Sequence, residues 1–215
     1  ATASVAEGGN IVYTASLNNE AASPVSVTLS NGAVITIAAG MASSSVSVAA
    51  PADDVHIDAA SASATIVSAS GGNFESLVVD PAAAMTSITD TIDTTTVSLT
   101  ASASVAEGGN ITYTASLNNV AQAPVMVTLS NGAIIAIAAG ASSGSVSAPA
   151  PTDDVYIDAG SVSATINSVT GGNFENLVIN PTAATTSITD TLDTTTVTLT
   201  ASPSVAEGGS IVYTA

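Results

Sequence analysis

Glu7, Asp53, Asp54, Asp58, Asp90 and Asp93 recur 100 residues later as Glu107, Asp153, Asp154, Asp158, Asp190 and Asp193. Carboxylates in such sets can trade protons with a substrate or gather round a hard cation. Glycoside cleavage needs two carboxyl groups about 5 to 9.5 Å apart across a sugar. Asp53 and Asp54 are chain neighbours with no aromatic sugar platform beside them, so that chemistry is set aside. The serines have no base to activate them: the chain has no Lys or Arg, and its one histidine, His56, is Tyr156 in the second copy. The Gly-Gly pairs never precede the lysine of a phosphate loop and read as turns.

Cation binding survives these exclusions. The chain carries 17 acids and a formal charge of −17, with nothing of its own to neutralise them. Two unit charges about 4 Å apart repel by roughly 4 kcal/mol at an effective dielectric near 20, so converging carboxylates need an external cation. Calcium accepts about 6 to 8 oxygen ligands at roughly 2.3 to 2.6 Å in flexible geometry, whereas magnesium demands octahedral order. Zinc and copper prefer His or Cys, and the chain has one His and no Cys. Acids that only keep a surface solvated would be scattered. Here Glu20 and Asp80 give way to Val120 and Asn180 in the other copy, while the six named acids recur. Calcium is the expected ion, and all twelve recurring acids are candidate ligands.

Those acids are placed by a repeat. SVAEGGN begins at Ser4 and Ser104, SVAEGGS at Ser204, VTLSNGA at Val27 and Val127, GGNFE at Gly71 and Gly171, and SITDT at Ser87 and Ser187, all at a period of 100. Repeats are therefore expected at 1–93 and 94–193, with the start of a third over 194–215 and a linker, DTIDTTT, at 90–96. Within one copy, short alternating segments at 1–6, 11–17, 25–30, 34–38, 44–48, 63–68 and 83–89 read as strands. Asn31-Gly32 predicts a type I′ hairpin turn, and FESLVVDP at 74–81 reads as loop because Pro81 disfavours a central strand. Seven strands in about 100 residues predict an all-β fold of tandem immunoglobulin-like β-sandwiches. A walk through them brings the turn after the first strand, the loop bearing Asp53, Asp54 and Asp58, and the exit of the last strand to one pole, where the acids converge.

Composition agrees with strands: Ala, Val, Ser and Thr dominate, and aromatics make up 3%. Nucleic-acid binding depends on cationic side chains that this chain lacks. An anionic membrane surface is excluded likewise, and no run of 18 apolar residues exists to span a bilayer. Without cysteine, repeats with such thin cores need a metal or neighbouring repeats as a staple. Any targeting signal is expected to lie outside this segment.

SVAEGG, the paired acids of PADDVHID and PTDDVYID, and the closing ITDTIDTTTV resemble the extender repeats of LapA-like giant adhesins, bacterial immunoglobulin-like modules exported by type I secretion. VAEGG and the paired-acid loop are also similar to the Calx-β calcium-binding module. The resemblance implies that Glu7, the Asp53-Asp54 pair and Asp90 ligate calcium and that the ions stiffen junctions between domains. Calx-β modules carry a further acid where this chain has His56 or Tyr156, which leaves the number of ions open. The expectation is a non-enzymatic, extracellular stalk on a bacterial surface, supporting adhesion and biofilm formation, with calcium and neighbouring repeats as its partners. Two alternatives compete with it: repeats that bind a glycan or cell-surface partner directly, or repeats that self-associate into a filament or sheath.

Overall fold

A computed structural model describes residues 1–58, 61–158 and 160–215. Among them every regular element is a β-strand. Contacts divide the chain into two compact units, Ala1–Thr95 with Asn173–Val178, and Thr96–Gly172 with Ile179–Ala215.

The first unit contains β1 (Ser4–Ala6), β2 (Asn10–Ser16), β3 (Val25–Leu29), β4 (Val34–Ile37), β5 (Ser43–Ala49), β6 (Ser61–Ala64), β7 (Ile66–Gly71) and β8 (Ala84–Thr89). They form sheets in the orders β1-β8-β6, β2-β5 and β4-β3-β7. β1 and β8 run parallel, with Ser4 opposite Ser87, so both strands end at the same pole. The period-2 alternation decides which side chains face inward. On β2, Ile11, Tyr13 and Ala15 are buried and the residues between them exposed. They pack with Val25, Val27, Leu29, Ile35, Ile37 and Ile88 into an apolar core built largely of branched aliphatic side chains, with Ile the commonest.

Two local features differ from the sequence reading. The segment 63–68 is not one strand: β6 and β7 break at Thr65, whose carbonyl accepts from Ser30 N–H at 2.9 Å and whose N–H donates to Ser30 Oγ at 3.1 Å. A register shift at Thr28/Leu29 accompanies the break, and an irregularity of this kind lets a strand turn from one sheet into the next. The β3–β4 turn is not type I′ either, because Asn31 is not among the non-glycine residues with positive φ. Gly32 alone adopts the left-handed conformation, at φ 85°, and closes the turn by donating its N–H to Leu29 C=O at 3.0 Å. Asn31 Oδ1 accepts from Ala33 N–H at 3.1 Å. A Cβ at Gly32 meets nothing, so Gly32→Ala is expected to cost only the backbone penalty, about 1 to 2 kcal/mol, in chemical denaturation.

The second sequence copy supplies β9 (Thr94–Ala101), β10 (Ser104–Ala106), β11 (Asn110–Leu117), β12 (Val125–Leu129), β13 (Ile134–Ile137), β14 (Ser143–Pro149), β15 (Gly160–Ala164), β16 (Ile166–Gly171), β17 (Asn176–Ile179) and β18 (Ala184–Thr189), of which β17 lies mostly in the first unit and the others, from Thr96 on, in the second. β19 (Thr200–Ala201) and β20 (Tyr213–Thr214) form a two-stranded ribbon. β9 corrects the linker reading, since its strand begins inside 90–96 and pairs with β11 from Val97 opposite Leu117 to Ala101 opposite Tyr113. β17 corrects the loop reading for the second copy, whereas 74–81 in the first copy contains no strand. β17 lies beside β9, where Asn180 N–H donates to Val97 C=O at 2.9 Å. Tyr13 and Tyr113 lie in the cores, but Tyr213 is exposed.

Candidate metal centre

In the first unit the acidic pole is assembled by backbone hydrogen bonds. Glu7 N–H donates to Thr89 C=O at 3.0 Å, tying the β1–β2 turn to the end of β8, and Gly8 N–H donates to Pro51 C=O at 2.7 Å, tying it to the loop before Asp53. Gly8 sits at φ 68°, and a Cβ there would lie 3.7 Å from that of Asp53, so a left-handed turn packs closely on the acidic loop. Asp90 directly follows β8, and Thr91 Oγ1 donates to Asp53 Oδ1.

Glu7, Asp90 and Glu175 each bring a carboxylate oxygen to within 4.8 Å of the others. Glu175 reaches this pole because its segment is fastened to the loop after Asp54. Ile57 N–H donates to Asn173 C=O at 3.0 Å, Glu175 N–H donates to Val55 C=O at 3.2 Å, and the His56 and Phe174 rings stack at 5.2 Å. His56 is thus a packing residue, with Nδ1 3.2 Å from Asp54 Oδ1.

The second unit builds the same pole. Glu107 N–H donates to Thr189 C=O at 3.0 Å, Gly108 N–H to Pro151 C=O at 2.7 Å, and Thr191 Oγ1 to Asp153 Oδ1. Glu107, Asp158 and Asp190 hold oxygens within 4.8 Å of one another.

Burial makes these carboxylates uncomfortable as anions. Glu7 and Glu107 are each 7% exposed, and Oε2 of each is buried with no hydrogen-bond partner, as is Glu175 Oε1. Burial first, then the adjoining Asp90, with smaller contributions from Asp58 and Asp53, raises the Glu7 pKa to about 7. Burial and then Asp158, Asp190 and Asp154 do the same to Glu107, also to about 7. At Glu175 the Asp93 N–H pulls the pKa down, but burial and the charges of Asp90 and Asp93 outweigh it and the net direction is up. A buried carboxylate oxygen with no donor facing it, beside two more carboxylates, is the donor set of a hard, oxygen-loving cation.

The predicted residues therefore divide. Glu7 and Asp90 meet in one unit, and Glu107, Asp158 and Asp190 in the other. Asp53 and Asp153 border these groups with one oxygen taken by a threonine hydroxyl. Asp54 and Asp154 turn into their own loop, where Oδ1 accepts the N–H of His56 and of Tyr156 at 2.7 and 2.8 Å. Asp58 acts on Glu7 through its charge and stands outside the trio. Asp93 contributes its backbone N–H to Glu175, and Asp193 lies outside the second trio. Glu175 was missed by sequence reasoning. The signal was present, because GGNFE recurs with its acid at Glu75 and Glu175.

Fold and site together define a tandem array of all-β, sandwich-like repeats, each with an acidic cluster at one pole. A LapA domain model matches residues 1–91 and again 93–191, and the chain belongs to the LapA domain family. That membership gives it an adhesin-related, structural rather than catalytic role and associates it with the cell surface or exterior. No curated protein matches the chain significantly.

Proposed function

We propose that this chain is an extender segment of the stalk of a bacterial surface adhesin, stiffened by calcium at its acidic poles. The carrying observation is the Glu7, Asp90 and Glu175 group with its two orphaned buried oxygens. Glu175 belongs to the second sequence copy and Glu7 to the first, so an ion held by all three would tie the GGNFE segment of one repeat to the pole of the preceding one. Such a clamp removes a hinge, and an array of clamped repeats gains length with copy number because each repeat meets only its neighbours. The stalk would carry a distal adhesive region away from the cell, in adhesion and biofilm formation, on a protein exported by type I secretion.

Calcium contributes only charge neutralisation and oxygen coordination here; the chain contributes the oxygens and their placement. Small-angle scattering on the 215-residue chain with saturating calcium, then with chelator, tests the reading. Calcium is expected to lengthen and narrow the distance distribution. Superimposable curves would reduce the acids to solvating charge and end the clamp mechanism.

A further inference from the structure

Glu175 reaches the Glu7 and Asp90 carboxylates through a connection that involves no cation. Residues 173–178 pack with the first unit, and His56 and Phe174 pair there as an isolated antiparallel bridge. Ile57 N–H donates to Asn173 C=O at 3.0 Å and Glu175 N–H to Val55 C=O at 3.2 Å, one bond on each side of the pair. His56 and Phe174 therefore occupy a position without hydrogen bonds between them, the kind of antiparallel pair whose side chains stand closest on one face. Their rings stack, with centroids 5.2 Å apart and planes 23° from parallel. Phe174 is 6% exposed.

Glu175 is held on both sides. Before it, Asn173 Nδ2 donates to Ile57 C=O at 3.3 Å, and after it Asn176 Nδ2 donates to Thr94 Oγ1 at 3.0 Å. The carboxylate is oriented as well: Oε2 accepts Asp93 N–H, and Oε1 is left buried without a partner. A backbone pairing as short as this bridge is marginal in water by itself, so the stacked rings carry much of its persistence. A planar ring also stands at the matching position of the second copy, as Tyr156. The position calls for a ring rather than for imidazole chemistry.

We propose that His56 and Phe174 are positioning residues for the cation: their stack holds Glu175 at the pole before any ion arrives, so that calcium meets an assembled site. The inference rests on the calcium reading of the Glu7, Asp90 and Glu175 group and adds to it a step that needs no metal. A ligand binds more weakly in proportion as its competent arrangement is less populated. Losing one stacked ring pair is therefore expected to weaken calcium binding roughly two- to tenfold while every ligand atom is kept.

Proton NMR and calcium titration calorimetry on the whole chain test this. His56 is the single histidine, so its imidazole protons give one isolated set of signals, and in chelator the face of Phe174 is expected to shift them upfield. Phe174→Leu, which keeps an apolar side chain, should return them to their ordinary position. In the titration, Glu175→Gln identifies the binding event that uses Glu175. Phe174→Leu and His56→Ala are expected to weaken that same event roughly two- to tenfold, while His56→Tyr binds as wild type does. Wild type that takes up no calcium, or takes it up equally with Glu175→Gln, ends the calcium reading of this group and the inference with it. Three outcomes overturn the positioning role alone: binding that Glu175→Gln weakens but Phe174→Leu and His56→Ala do not, His56→Tyr as weak as His56→Ala, or imidazole signals in chelator that Phe174→Leu leaves in place.

Discussion

Glu7→Gln should raise the unfolding temperature of the first unit at pH 7 in chelator and remove most of the stabilisation that calcium gives it. Burial and Asp90 hold the folded pKa of Glu7 at about 7, against 4.5 in the unfolded chain. The sign follows from linkage: a folded pKa above the unfolded one means a contribution fully present below 4.5 and lost as pH rises through about 7. Metal-free protein therefore weakens across that window, and Glu107 adds the same trend in the second unit. Glutamine cannot ionise, so the variant escapes the loss. Calcium requires the deprotonated carboxylates, so its stabilisation grows over the same window. At about a hundredfold excess over Kd a ligand adds roughly 2.7 kcal/mol, which for a domain of about 100 residues is on the order of 10–20 °C in Tm. Calorimetry at pH 5 and pH 7, each with calcium and with chelator, reads all four states. Chelated wild type no less stable at pH 7 than at pH 5, or a variant gaining as much from calcium as wild type, would refute the metal reading of Glu7.

Leu99→Ala is expected to destabilise the second unit by about 2–5 kcal/mol, the range for truncating a buried leucine, and to leave the first unit's transition in place. Leu99 lies on β9, opposite Ala115 of β11, and is 7% exposed. Denaturant titration of the variant checks this. No loss for Leu99→Ala would show that β9 does not close the second unit.

Leu99 marks the limit of sequence reading for this molecule. Alternation along β2, β3 and β4 was legible because a strand buried on one face must repeat every second residue, and Ile11, Tyr13 and Ala15 are buried accordingly. The convergence of Glu7 with Asp90 was legible because the 100-residue period singled out recurring acids in joints between strands. Strand β9 was misread as linker because its apolar alternation, Val97 and Leu99, follows a polar run, Asp93-Thr94-Thr95-Thr96, that looks the same in a turn. The break of 63–68 into β6 and β7 hinges on Ser30 reaching Thr65 across 35 residues, a contact no local pattern encodes.

The sequence by itself determined the repeat, the all-β class, the absence of any internal cation and the list of acids that could meet. Those properties are local or compositional, so they can be read along the chain. Only the tertiary structure decided which carboxylates share a site: it turned Asp54 and Asp154 into their own loops, brought Glu175 to Glu7 and Asp90 in one unit, and brought Asp158 to Glu107 and Asp190 in the other. The physical reason is that a carboxylate's neighbours are set by hydrogen bonds between segments far apart in sequence, such as Glu175 N–H to Val55 C=O, and a one-dimensional period cannot distinguish an acid at the pole from an acid facing into it.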